Sequence, residues 1–242
     1  MKKPVLYVEA LPTNKKQLAF DFCYSAMMGA VQADIKWKPF QSIYDIPGDT
    51  TNIIVGSVEM CAAWLKSTGR PIPELPNIFP FEEFLGRHIT VAPIEKILYP
   101  SFIKPYKQIK AFTGFVATNK LYVDIFAEGY KGLVLMQEIV EIVSEYRMYI
   151  NCNKIVGMRH CRGDCLVFPD SDVIESCFTK AKEIIDYHAY TLDFGVLEDG
   201  NTILIEINDG WAIGNYGLEP IDYYMFIRNR WLQMTGIRHR ME

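Results

Sequence analysis

The stretch that most restricts this chain is residues 191–208, TLDFGVLEDGNTILIEIN. Asp199-Gly200 is a strong two-residue turn signal between two alternating runs, which predicts a β-hairpin. With that pair as the loop, Asp193 stands across from Glu206, Gly195 across from Leu204 and Leu197 across from Thr202. Side chains in a strand alternate between faces, so Phe194, Val196, Ile203, Ile205 and Ile207 form the expected core face. The other face carries two directly opposed carboxylates, with the Asn208 carboxamide two residues beyond Glu206. Like charges opposed across strands destabilise a sheet. A divalent cation removes that cost, and a few hard oxygen donors are what Mg²⁺ takes when phosphates complete its shell. The competing reading is a solvated polar face with the acids splayed apart.

Around this hairpin the 242 residues fall into two textures. Residues 4–9 form a short apolar strand, and Leu18, Phe22, Ala26 and Met27 then recur at helical spacing. Residues 52–56 predict a second buried strand, followed by a helix that ends at Gly69. Four prolines in RPIPELPNIFP mark a linker. Residues 1–95 therefore resemble a small α/β unit with a parallel sheet. From residue 99 short strand-like runs succeed one another (SFIKP, AFTGFVAT, GLVLMQEIV, EYRMYIN, KIVGMRH, DCLVFP), which antiparallel sheet explains most economically. A helix is expected over 172–187 with Ser171 or Asp172 as its N-cap, and a last amphipathic helix over about 220–234.

Composition removes several function classes. A net charge of −4 and a pI near 5.7 leave no overall electrostatic footprint for nucleic acid, only room for a local basic patch. No apolar run approaches the roughly 18 residues of a membrane span, and the short apolar stretch after the two N-terminal lysines predicts a strand rather than a signal peptide. Six cysteines, scattered through a chain large enough to build its own core, fit reduced cytoplasmic thiols better than a disulfide framework.

Two further stretches bear on the hairpin. In residues 101–115, SFIKPYKQIKAFTGF, Lys104 sits inside an apolar strand, where a buried ammonium requires an anionic partner. The alternative is an edge-strand lysine whose head group reaches solvent. Residues 137–151, QEIVEIVSEYRMYIN, place Glu138, Glu141 and Glu145 around an apolar stretch before Arg147. That is either a polar turn between strands or a hinge whose backbone holds a purine edge, with an acid nearby for a ribose hydroxyl.

Lys104 in F-I-K-P, the apolar hinge at Gln137-Glu138, E-x-R at Glu145–Arg147, then Asp193 and E-x-N at Glu206–Asn208 follow one another as in the ATP-grasp superfamily, which this chain resembles over roughly residues 95–218. KAFTG, RMYI and GMRHCRGD make it most similar to the phage and bacterial clade named for two arginines and a lysine. The resemblance implies an α/β N-terminal domain (1–95) before an ATP-grasp fold, whose small (96–140) and C-terminal (141–242) α+β subdomains clasp ATP between antiparallel sheets. It implies that Lys104 contacts phosphates and that Gln137, Glu138, Ile139 and Val140 form the adenine hinge, with Leu204 also in the nucleotide pocket. Glu141 or Glu145 would meet the ribose, and Asp193, Glu206 and Asn208 would hold Mg²⁺. The implied reaction activates a carboxylate as an acyl phosphate, which an amine or thiol then attacks. Arg147 and Arg159, with Arg162 third, are the candidates to stabilise the transferred phosphoryl group. Phosphotransfer without ligation, or nucleotide binding without turnover, are the competing functions.

The chain departs from the wider superfamily in three places. Thr191 stands where many relatives carry an arginine two residues before the first metal acid. Only Gly114 represents the usual glycine-rich loop, and Arg87 is the nearest basic residue to an expected earlier lysine. His160, Cys161, Cys165 and Cys152 lack the paired spacing of a structural zinc site. Trp211, Tyr216, Tyr223, Tyr224 and Trp231 are expected in the core and cleft wall, with Trp211 a candidate to line the acceptor pocket.

Overall fold

The computed structural model describes residues 4–48 and 51–236. Its strands are β1 (Leu6–Leu11), β2 (Asn14–Leu18), β3 (Trp37–Phe40), β4 (Ile53–Val55), β5 (Ile89–Pro93), β6 (Ser101–Pro105), β7 (Phe115–Ala117), β8 (Leu133–Gln137), β9 (Ile142–Asn151), β10 (Lys154–Gly163), β11 (Ala189–Leu197) and β12 (Thr202–Asp209). Its α-helices are α1 (Asp21–Gln32), α2 (Val58–Ser67), α3 (Lys120–Phe126), α4 (Ser171–Ile184) and α5 (Pro220–Met234).

These strands build three sheets. In the first, β1 pairs in parallel with β3 and β4, as strands joined through helical crossovers do. An antiparallel strand, β2, joins its edge and takes up Leu18, which the helical spacing had assigned to the first helix. The second sheet, in the order β5-β8-β6-β7, is antiparallel and begins at Ile89. The third, in the order β10-β9-β11-β12, is also antiparallel.

The segment DCLVFP forms no strand; it is an extended loop stitched to β9 by Ser144 Oγ and Tyr146 Oη, which donate to the Asp164 and Cys165 carbonyls. The N-cap of α4 is Asp170 rather than Ser171 or Asp172, because its carboxylate accepts from the Asp172 and Val173 amides, and the helix ends at Ile184 rather than 187. A short helix, α3, was not anticipated, and Asn119 opens it by accepting from the Leu121 and Tyr122 amides.

The faces of the third sheet separate by residue parity. Met148, Ile150, Tyr190, Leu192 and Phe194 point back onto Cys177 and Ala181 of α4 and share a core with Phe81. Tyr149 and Ala189 point forward and join the N-terminal unit through Trp211, Leu218 and α5. α5 crosses α1 so closely at Gly29 that a Cβ there would stand 2.0 Å from the Pro220 carbonyl oxygen. Trp64 of α2 and Trp231 of α5 meet edge to face with ring centroids 5.9 Å apart, a geometry that contributes about 0.5–1.5 kcal/mol beyond area burial. The C-terminal helix thus fastens the third sheet to the first.

The hairpin is more irregular than a two-residue turn would make it. Leu197 N donates to Asn201 O and Gly200 N to Leu197 O, so the loop is Glu198-Asp199-Gly200, with Gly200 at φ 87°. This shifts the tip by one residue: Phe194 pairs with Leu204, Gly195 with Ile203 and Val196 with Thr202. The expected Gly195–Leu204 and Leu197–Thr202 pairings are therefore corrected. A bulge at Ile205 absorbs the shift, and Asp193 pairs with Glu206 as the alternation predicted. The same bulge turns Leu204, rather than Ile205, into the core of the sheet.

Candidate functional site

In-register pairing draws one row across the front of the third sheet: Arg159 on β10, Arg147 on β9, Asp193 on β11 and Glu206 on β12. Arg147 grips Asp193 with two parallel bonds, Nε to Oδ1 at 2.8 Å and Nη2 to Oδ2 at 2.5 Å, the bidentate geometry that suits guanidinium to carboxylate. Its Nη2 also lies 3.7 Å from Glu206 Oε1. Asn208 Nδ2 donates to Asp193 Oδ2 at 3.2 Å and to Glu206 Oε1 at 2.9 Å.

The second sheet supplies the remaining cation. Ile103 faces the core that the second sheet shares with Ala127, so Lys104 projects the other way, and its Nζ reaches Glu206 Oε2 at 3.0 Å. The sequence left open whether this lysine finds an anion or reaches solvent; the structure pairs it. Two acids and two bases thus balance on one patch of the cleft between the second and third sheets.

Their protonation follows from burial and partners. Burial pushes the Asp193 carboxyl up to about 7, against the pull of Arg147. Burial also works to raise Glu206, but Lys104, the Asn208 hydrogen bond and Arg147 outweigh it and hold that carboxyl at about 2. The Arg147 guanidinium loses hydration, yet Asp193 raises its pKa above the usual arginine value.

Arg87, singled out in the sequence only as the nearest basic residue, enters this cleft. Its Nη1 donates to the carbonyls of Leu85 and Leu204 at 2.8 and 2.9 Å, its Nη2 to Ile205 O at 2.8 Å, and its Nε to Gln137 Oε1 at 3.0 Å. The bulge at Ile205 is what offers two successive carbonyls to one guanidinium. No carboxylate among the described residues pairs with Arg87, and burial lowers its pKa to about 10. Its spacing from the other motifs carried no signal, because its partners are mainly backbone oxygens.

The hinge residues lie where β8 leaves the second sheet for β9 of the third. Gln137 is buried and held by Arg87. Glu138 N donates to His88 O while its carboxylate accepts from His88 N, which tethers the hinge to the start of β5. Ile139 and Glu141 are exposed and Val140 is half-buried. Leu204 keeps its side chain among Leu135, Ile89 and Phe194. Glu145 shares the front face with Arg147 and lies 3.7 Å from Arg162 Nη1 at the open end of β10.

Arg159 stands beside Arg147, but its Nε donates to Gly217 O at 2.9 Å. The segment after Asn208 folds over this end of the row. Tyr149 Oη donates to Gly214 O, Asn215 Nδ2 donates to Ser25 Oγ on α1, and Tyr223 Oη donates to Ile213 O. Trp211 is buried in the core, its carbonyl accepting from Trp231 Nε1. The aromatic at the cleft is Tyr216, half exposed at φ 43°, with its ring centroid 5.0 Å from Arg147 Cζ, within cation–π range.

The donor set suits Mg²⁺. Two carboxylates and a carboxamide oxygen are hard ligands, they come from adjacent strands of one face, and they leave positions for phosphate oxygens. Among the described residues no cluster of three or more His, Cys, Asp or Glu competes with it. No described helix is long and apolar enough to cross a membrane.

Solved structures share this architecture. D-alanine–D-alanine ligase from Bacillus anthracis, complexed with ATP, superposes with a TM-score of 0.56 at 10% identity, covering 97% of this chain and 98% of that one. A RimK domain ATP-grasp protein from Sphaerobacter thermophilus gives 0.56 at 11% identity, covering 98% and 99%. N5-carboxyaminoimidazole ribonucleotide synthetase from Thermotoga maritima gives 0.54 at 11% identity, covering 94% of this chain and 76% of that one. A search of curated proteins found no match. The sequence itself matches the ATP-grasp domain, R2K clade family 2, over residues 84–226, more than half of the chain and all of the cleft just described. The chain therefore belongs to the R2K clade of the ATP-grasp superfamily.

Proposed function

We propose that this chain is an ATP- and Mg²⁺-dependent ligase that activates a carboxylate as an acyl phosphate and joins it to an amine or thiol, on a peptide, amino acid or protein. The observation that carries this reading is the convergence of Lys104, Glu206, Asn208, Asp193 and Arg147 from two sheets on one patch. A protein that only holds a nucleotide has no need of two opposed carboxylates backed by a buried arginine. A neighbour named as a ligase and complexed with ATP, and another named as a synthetase, support the same reading.

Asp193, Glu206 and Asn208 would hold the magnesium, which when bound supplies the positive charge that phosphoryl transfer demands. Lys104, released from Glu206 by that exchange, would bind the phosphates. Arg147 keeps Asp193 fixed in rotamer and places positive charge at the row's centre, where a transferred phosphoryl group is stabilised. Arg159 is the second candidate for that charge and Arg162 the third. The backbone at Gln137, Glu138, Ile139 and Val140 would receive the adenine beside Leu204, and Glu141 or Glu145 the ribose. In this reading residues 1–95 precede a small subdomain (96–140) and a C-terminal subdomain (141–242), with ATP between the last two. Thiols left unpaired at all six cysteines fit a reducing, cytoplasmic setting.

The test is ADP release from ATP and Mg²⁺ with panels of carboxylates and amines, with the coupled product identified by mass. Product that requires both a carboxylate and an amine or thiol supports the ligase. ADP formed with a phosphorylated acceptor and no coupling identifies a phosphotransferase instead. ATP bound without hydrolysis under every mixture overturns both.

A further inference from the structure

Asn208 is the one proposed magnesium ligand whose donor depends on which way its side chain faces. Here the carboxamide is turned with Nδ2 toward Asp193 and Glu206, donating to both. A cation held by those carboxylates repels an amide N–H, so Oδ1 must turn in and Nδ2 must turn out. Asn208 is half-buried, so the displaced N–H groups are only partly reachable by water, and an acceptor inside the fold removes the cost of leaving them unmet.

The sheet provides one. Thr191 on β11 is the direct partner of Asn208 on β12, and lies two residues before Asp193 on the same face. It is fully buried, and its Oγ1 has no hydrogen-bond partner. Of the other buried side-chain polar atoms left unpaired among the described residues, those of His160 and Tyr190 belong to the opposite face of this sheet. Those of Trp64, Arg70 and Tyr224 lie outside it. The front face therefore holds a single unsatisfied hydroxyl, and it stands opposite the single ligand that has to rotate.

We propose that Thr191 is a positioning residue for the metal site: its Oγ1 accepts from Asn208 Nδ2 when the carboxamide turns its oxygen to the cation. Partners of this kind orient metal ligands and are typically worth 10–100-fold in affinity. The departure from an arginine at this position gains a physical reason: Arg147 supplies the charge from the neighbouring strand, and the vacated position holds the ligand's orientation. The inference rests on the magnesium assignment made under Proposed function.

The test is binding of Mn²⁺ with ADP to the full chain, followed by water-proton relaxation, with metal-free melting curves alongside. Thr191→Val is expected to weaken the ternary complex by about 10- to 100-fold, and Thr191→Ser to bind like the unaltered chain. The metal-free Tm of Thr191→Val should not fall, since valine replaces an unsatisfied hydroxyl with a methyl of similar size. Unchanged binding by Thr191→Val, with Glu206→Gln abolishing it, overturns the role of Thr191 and leaves the metal site standing. Unchanged binding by Glu206→Gln overturns the metal site itself. A metal-free Tm lowered by Thr191→Val and restored by Thr191→Ser shows a hydroxyl already in structural use, and overturns the proposal.

Discussion

Lys104 Nζ stands 3.0 Å from Glu206 Oε2 across 102 residues of sequence, and this contact ties the second sheet to the third at the floor of the cleft. Both side chains remain partly open to solvent, and partly exposed ion pairs contribute about 0–1 kcal/mol. The pair is therefore a weak fastener, arranged so that either member is free to exchange partners. Lys104→Met is expected to weaken ATP binding at least tenfold while moving the unfolding free energy by less than about 1 kcal/mol. Isothermal titration with ATP and a urea melt of the same preparation check the two halves.

Glu206→Gln should abolish ADP release while the fold persists, because the core face of β12 is untouched. A variant that keeps full turnover would remove Glu206 from the metal site. Circular dichroism beside the activity assay distinguishes loss of chemistry from loss of structure.

The Arg147–Asp193 pair behaves differently because it is buried. Removing one partner of such a pair typically costs about 3–5 kcal/mol, since the other charge is left without compensation. Asp193→Asn is expected to destabilise by that order. Replacing both, as Arg147→Met with Asp193→Leu, should regain most of the loss while remaining inactive. Urea unfolding of the single and double variants measures the coupling.

Gly29 fixes the approach of α1 to α5. A methyl there would meet the Pro220 carbonyl and Tyr224 Cβ at 2.0 and 2.6 Å. Gly29→Ala should push α5 off the N-terminal unit and destabilise by about 1–3 kcal/mol, as overpacking does, measured by thermal melting.

Burial pushes the thiols of Cys23 and Cys177 from the ordinary 9.0 up to about 12, and raises Cys61 as well. A folded pKa above the unfolded one makes a contribution that is complete below pH 9 and is lost as pH rises toward 12. The Tm should therefore decline above pH 9, and Cys23→Ala should flatten that decline. A thiol reagent at pH 8 should label exposed Cys165 first and reach Cys23, Cys61 and Cys177 only on unfolding.

Much of the fold was legible because the signals were local. Alternation and turn residues marked the hairpin, and the opposition of Asp193 to Glu206 emerged as expected although the loop is one residue longer than the turn signal implied. Two irregularities cancelled there: a three-residue loop moved the register and the bulge at Ile205 restored it. The strand carrying Lys104 was placed at its observed bounds, since Pro105 ends the run. Less was visible where stability comes from contacts outside the segment. β2 has four exposed residues in five and exists through its pairing with β1. α3, at seven residues, is too short for periodicity to announce.

By itself, the sequence determined the order of chemistry along the chain: a lysine in a strand, a hinge, an arginine, then two acids and a carboxamide on one face of a hairpin. Periodicity of two decides which residues share a face, and that is a local property of the backbone. Only the tertiary structure decided who meets whom. Arg147 reaches Asp193 because β9 pairs with β11, Lys104 reaches Glu206 because the second sheet folds against the third, and Thr191 faces Asn208 with its hydroxyl unmet. Those encounters depend on strand order and sheet packing, which are set by burial summed over the whole molecule, and no short stretch of residues encodes that sum.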